Sequence, residues 1–128
     1  MPYPKEYRYT REHEWVKVEA GKARVGITDH AQHELGDVVY VELPQVGKRV
    51  KQHEECATVE SVKAVSPIYA PLSGEIVAVN KELEQKPELI NQSPHDQGWI
   101  VVLAMSHPQE MDNLLTSEEY EQHVGGSH

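Results

Sequence analysis

Lys63 stands between two apolar runs, flanked by Val62 and Ala64 and followed by Ser66-Pro67. That spacing puts it at or near an exposed hairpin tip, where a lysine carries its ammonium into water on a flexible four-carbon stem. By position alone, its chemistry is solvation of a turn. Eight histidines raise the question of a metal. His30 and His33 are spaced i and i+3 with Glu34 beside them, so one helical face would aim two imidazoles together. A catalytic centre wants a third ligand and supporting hydrogen bonds, so these read as exposed helix histidines and no metal is expected. Cys56, the single cysteine, lies in an alternating strand and reads as a small buried core residue rather than a nucleophile. No Gly-rich phosphate loop, Ser-centred elbow or paired-carboxylate motif is present.

The elements that position these groups are mostly short strands. Trp15 to Glu19 alternates apolar with charged residues, Ala20-Gly21 turns the chain, and Ala23 to Ile27 completes a hairpin. Thr28 or Asp29 can cap a short helix near 29–35, stopped by Gly36. Val38 to Leu43, Cys56 to Val62, Ile68 to Ala70, Glu75 to Asn80 and Trp99 to Met105 supply further strands, with a loop holding Pro87 and Pro94 before the last. Pro108 opens a helical tail in which Leu114, Leu115 and Tyr120 can pack back on the body. Many short strands with frequent turns predict a mainly β sandwich or barrel. Leu35-Gly36-Asp37-Val38-Val39 is echoed by Leu72-Ser73-Gly74-Glu75-Ile76-Val77 with one residue inserted, although Gly before an acid is a common way to enter a strand.

The 128 residues suit one compact domain spanning 1–128. With no Phe, two Trp and six Tyr, the core must be filled chiefly by Val, Ile and Leu. A formal net charge of -9 and a pI near 5.3 repel phosphate backbones and anionic lipid heads, so neither nucleic acid nor membrane is an expected partner. The same field favours brief docking to basic protein surfaces. One cysteine permits no internal disulfide and suits a reducing compartment. The start Met1-Pro2-Tyr3-Pro4 has neither a secretory apolar region nor an Arg-rich presequence, so the chain is expected to be cytoplasmic, or a mature mitochondrial-matrix form.

The surroundings of Lys63 carry more than its position does. Glu60-Ser61-Val62-Lys63-Ala64, followed by Pro71-Leu72-Ser73-Gly74-Glu75-Ile76-Val77, resembles the lipoyl-attachment segment of the glycine cleavage system H proteins. Tyr9-Thr10 with His13-Glu14-Trp15-Val16, Val25-Gly26-Ile27-Thr28, Leu35-Gly36-Asp37, Val41-Glu42-Leu43-Pro44, Pro87-Glu88-Leu89-Ile90-Asn91 and Gly98-Trp99 resemble the family in the same order. Roughly the whole chain is covered, which one short motif would not achieve. Met on both sides of the lysine, expected of a biotinyl domain, is replaced by Val62 and Ala64. A lipoyl domain of a 2-oxo acid dehydrogenase complex would be shorter and carry a flexible linker.

The resemblance implies a lipoyl-type barrel-sandwich hybrid of two antiparallel sheets, and a non-catalytic carrier with lipoic acid joined to Lys63 through an amide. Amide formation removes the lysine charge, and tethering raises the effective concentration of the disulfide at a partner's active site. The implied partners are glycine decarboxylase, aminomethyltransferase, dihydrolipoyl dehydrogenase and the lipoate-attaching enzymes, with the carrier itself a monomer. The chemistry belongs to the partners, and the carrier moves the aminomethyl intermediate of glycine between them. An alternative within the same resemblance is a relay protein that donates octanoyl or lipoyl groups to other enzymes. A loaded arm bears a protonated amine, for which Glu14 is the candidate acceptor in a cleft, with Pro67 and Glu34 near it. His53 stands where the family often has a turn glycine, and histidine is among the less costly residues at positive φ.

Overall fold

The structure, a computed structural model, describes residues 3–125; Met1-Pro2 and residues 126–128 lie outside the described residues. Among the described residues, nine strands form two antiparallel sheets. The larger has β1 (Arg8–Tyr9), β2 (Glu14–Glu19), β3 (Lys22–Ile27), β5 (Arg49–Val50), β8 (Gly74–Val79) and β9 (Val101–Met105), in the order β1-β2-β3-β9-β8-β5. The smaller is β4 (Val38–Glu42), β6 (Glu55–Ser61) and β7 (Val65–Tyr69), with β6 in the middle. The sheets pack face to face as an unclosed barrel-sandwich.

Alternation along the strands sorts residues between water and core. In β6, the bulged Cys56 together with Ala57 and Val59 is buried, and in β3, Ala23, Val25 and Ile27 are buried, all of them within the core. Val, Ile and Leu from both sheets form one apolar cluster, as the missing Phe requires. A second cluster is aromatic: Tyr7, Tyr9, Trp15 and Tyr120 are buried together, and the Trp15 indole N–H donates to the Pro94 carbonyl at 2.8 Å. Rings of this size supply much apolar area while each polar tip finds a partner.

Helix α1 (Asp29–Leu35) runs as expected: Thr28 caps it by accepting the Ala31 N–H, and Gly36 ends it with its N–H on the Gln32 carbonyl. The loop after β8 contains two unforeseen helical turns, α2 (Glu82–Gln85) and α3 (Leu89–Gln92). Four residues are too few to show a helical period, and burial of Leu83 and Ile90 holds them instead. The tail also differs from a single helix. It forms a 3-10 turn (Pro108–Asn113), breaks at Leu114–Thr116, then resumes as α4 (Ser117–Gly125). The break exists because Leu115 exchanges both backbone hydrogen bonds with Tyr9, at 2.7 and 2.9 Å, and so cannot bond within a helix. The two echoed glycines serve different ends. Gly36 has φ 83° and ψ -163°, a region that side chains exclude, whereas Gly74 is required because a Cβ there would lie 2.3 Å from the Ala104 carbonyl oxygen.

Candidate functional site

Strand β6 ends at Ser61, one residue short of the expected Val62, and residues 62–64 form the turn into β7. Ser61 builds that turn. Its backbone N–H donates to the Ala64 carbonyl at 2.8 Å, and its Oγ accepts the N–H groups of Lys63 (3.3 Å) and Ala64 (3.1 Å). The Val62 N–H donates to the Asp37 carbonyl at 3.0 Å, tying the turn to the end of α1. Lys63 is exposed. Its stem passes over Gly36, where a Cβ would meet the Lys63 Cε at 3.4 Å. Glu60 is half-buried in the cross-strand row between Tyr40 and Val65, and Val62 and Ala64 are exposed. The motif residues thus divide their work: Ser61 shapes the turn, Val62 and Ala64 face water beside the lysine, and Glu60 sits in the cross-strand row near the strand end.

A groove of about 240 Å³ lies between α1, β7 and the β1–β2 connection, its lining reaching Leu35, one residue before the Gly36 beneath the Lys63 stem, and Ser66 in β7. Glu12, His13, His30, Glu34, Leu35 and Pro67 are among its lining residues. Pro67 and Glu34 were anticipated near a cleft; Glu12, His13 and His30 were not, since nothing local in the sequence joins the 12–13 segment to α1. Two larger hollows, of about 700 and 740 Å³, lie along residues 42–48 with 55–58 and beside Arg49–Gln52. Neither is lined by α1, whereas the smaller groove is lined by Leu35 next to the Gly36 beneath the Lys63 stem, so size does not identify the site here.

Glu14 is no surface acid. It is 2% exposed and absent from the groove lining, directly after His13 in the chain. The Thr10 hydroxyl donates to one carboxyl oxygen at 2.5 Å, and the Tyr69 N–H donates to the other at 3.2 Å, stitching β2 to β7 across the two sheets. Burial pushes its pKa up to about 7, against the pull of those two hydrogen bonds. At neutral pH it is therefore poised between acid and carboxylate.

His13 adopts φ 75° and is half-buried. Its ring lies 4.7 Å from that of His30 and 5.8 Å from that of His123, centroid to centroid. Burial first, then the neighbouring His30 and His123, lowers its pKa to about 4, so it is neutral at working pH. Its Nδ1 lies 2.7 Å from the Tyr120 hydroxyl, which lies 2.7 Å from the Thr28 hydroxyl. Thr28 is fully buried and its oxygen already accepts the Ala31 N–H, so its proton goes to Tyr120 and the Tyr120 proton to His13 Nδ1. This direction, assigned from hydrogen-bond satisfaction, leaves His13 with its proton on Nε2. His53 also takes positive φ, 74°, in line with the turn glycine that the resembled family often has there.

The remaining sequence candidates separate. His33 is exposed and pairs with Asp29 at 3.5 Å, while His30 turns toward His13, so the two do not converge. No group of three or more His, Cys, Asp or Glu among the described residues is arranged to hold a metal. Cys56 is buried and its thiol is pushed up to about 12, chiefly by burial, so it is not a thiolate at neutral pH. No helix among the described residues is long and apolar enough to cross a membrane.

The profile described as Glycine cleavage H-protein matches residues 7–126. The glycine cleavage system H protein of Anoxybacillus flavithermus is 56% identical over 97% of this chain and 98% of its own length. That of Bacillus subtilis is 52% identical over 95% and 96%. The crystal structure of a glycine cleavage system H protein from Mycobacterium marinum superposes with a TM-score of 0.89 at 39% identity, covering 96% of this chain and 99% of that one. Agreement in sequence and in fold over nearly the full length means that the chain belongs to the glycine cleavage H-protein family, the non-catalytic lipoyl carriers of the glycine cleavage system.

Proposed function

We propose that Lys63 is the attachment point of lipoic acid, joined as an amide, and that residues 1–128 act as one monomeric carrier domain in the cytoplasm. The observation that carries this reading is the exposed Lys63 on a turn whose geometry Ser61 sets, beside a groove able to receive what the lysine bears. When bound, the lipoyl group supplies a disulfide that can accept an aminomethyl unit and be restored from the dithiol. Glu60, Ser61, Val62 and Ala64 present the lysine to the lipoate-attaching enzymes. Glycine decarboxylase, aminomethyltransferase and dihydrolipoyl dehydrogenase then meet the same tip in turn.

The groove serves the loaded state. Glu12 and Glu34 offer carboxylates to a protonated amine, and Ile27, Leu35 and Ile68 give apolar walls that exclude water. Neutral His13 adds no repelling positive charge. Glu14, behind the His13 turn with both oxygens bonded, acts on the amine through its charge, and an ammonium nearby draws it toward the carboxylate form.

The test uses protein made with lipoate and its ligase. Its intact mass should rise by one lipoyl group, mapped to Lys63 by peptide fragmentation. Lys63→Arg should keep the fold and lose glycine–bicarbonate exchange with the decarboxylase, and exchange retained in that variant would sink the reading.

A further inference from the structure

The large apolar side chains left in water are concentrated in one place. Six are exposed among the described residues, and four of them, Val39, Tyr40, Val62 and Val65, belong to the strands and turn that carry Lys63. Their exposures run from 52 to 68%. Two structural devices produce this. A bulge in β4 between Val38 and Tyr40 leaves both Val39 and Tyr40 outside the core. The register then sets Tyr40, Glu60 and Val65 in one row across the outer face of the small sheet, with Val62 beyond its end. Nothing in the fold needs these side chains to be apolar, because they cover no core.

Charge around the patch is one-sided. Asp37 and Glu42 are exposed and Glu60 half-exposed near the row, and none of the three ion pairs among the described residues involves them. Acylation of Lys63 removes the cation in the middle of the patch. What then remains is an apolar collar with an acidic edge.

We infer that Val39, Tyr40, Val62 and Val65 form a docking collar, and that its occupant is the rim of a partner enzyme's arm-accepting channel, apolar at the contact and flanked by lysine or arginine. A channel that admits the arm must open at the arm's root, so the residues ringing Lys63 are the ones its mouth touches. The apolar side chains hold the complex and set its dissociation rate, as buried aromatic anchors do. The acids steer the approach and set the salt dependence of the association rate. This inference rests on the reading of Lys63 as the root of the arm.

The probe is lipoylated carrier binding to glycine decarboxylase, with association and dissociation followed by surface plasmon resonance. The double variant Tyr40→Ser with Val65→Ser should weaken binding by about tenfold or more, mostly through faster dissociation. Asp37→Asn with Glu60→Gln should slow association several-fold at low salt, with the difference fading as salt is added. Val18→Ser, at the exposed valine of the β2–β3 hairpin, is the control and should leave binding unchanged. All variants should show the wild-type thermal midpoint. Dissociation constants for the double serine variant within twofold of wild type, or equal weakening by Val18→Ser, would overturn the collar. Either outcome leaves the carrier reading standing, because that reading fails only if Lys63 is not modified or Lys63→Arg stays active.

Discussion

The Lys63 turn and the wall formed by His13 at the groove with Glu14 buried behind it are built on opposite physics. At the turn and the strands beside it, an ammonium and four apolar side chains stand in water, and four short-range hydrogen bonds through Ser61 hold the turn. At the wall, a carboxyl and an imidazole are withdrawn from water and fastened by residues distant in the chain, Tyr69 to Glu14 and Tyr120 to His13. The exposed side chains of the turn cover no core, so changing them should cost little stability. The wall's polar groups are part of what holds the sheets and the C-terminal helix together, so function and stability are coupled there.

The sharpest way to break this contrast is at the lysine. Lys63→Arg should remove all lipoyl incorporation while the urea unfolding free energy stays within about 0.5 kcal/mol of wild type, as for an exposed surface change. A large loss of stability would mean that the turn is not independent of the core.

A smaller effect, read as pH dependence, is expected at the wall. Glu14 has its pKa raised from 4.5 to about 7, so its contribution to stability is fully present below pH 4.5 and is lost as pH rises toward 7. His13 is lowered from 6.5 to about 4, so its contribution is present above pH 6.5 and is lost as pH falls toward 4. The two oppose each other across the acidic range. Glu14→Gln removes only the first, and its amide can place its oxygen toward the Tyr69 N–H and its NH₂ toward Thr10. The variant's stability relative to wild type should therefore rise by about 3 kcal/mol from pH 5 to pH 8, measured by urea titration at each pH. A difference that does not vary with pH would show that Glu14 titrates normally.

Gly36 joins the two regions, since it ends α1 at the groove and lies under the Lys63 stem. Gly36→Ala should cost about 1–3 kcal/mol, because φ 83° with ψ -163° strains any side chain. The new Cβ would make only van der Waals contact with the lysine stem, 3.4 Å from its Cε, so the rate of lipoylation should stay near that of wild type. Chemical denaturation and a ligase time course read the two outcomes separately.

The smallest change probes the wall from its far side. Tyr120→Phe keeps the ring stacked on Tyr9, 4.9 Å away, and removes only the hydroxyl between Thr28 and His13. Stability should fall by about 1 kcal/mol. The nitrogen-15 shifts of His13 should move from a single tautomer with the proton on Nε2 toward a mixture. Unchanged shifts would mean that Tyr120 does not set the tautomer.

Much of the fold was legible because its signals are local. The β2–β3 hairpin was visible in alternation broken by Ala20-Gly21, and α1 in Thr28 and Gly36 at its ends. The positive φ of His53 was anticipated instead from the resemblance, since the family often has a turn glycine at that place. The helical turns at 82–85 and 89–92 were missed because four residues carry no period, and the break at Leu114–Thr116 because its cause is Tyr9, more than a hundred residues earlier. Cys56 was readable as core from its strand alone, whereas nothing beside Glu14 announced that it would be buried.

By itself the amino-acid sequence determined the lysine, the turn that exposes it and the strands on either side, since each depends on residues within a few positions of one another. Only the tertiary structure decided the groove, the near-neutral pKa of Glu14 and the neutrality of His13. Those properties arise when residues 10–14, α1, β7 and α4 are packed together and water is removed from between them, and the energy of a charge depends on the medium assembled around it.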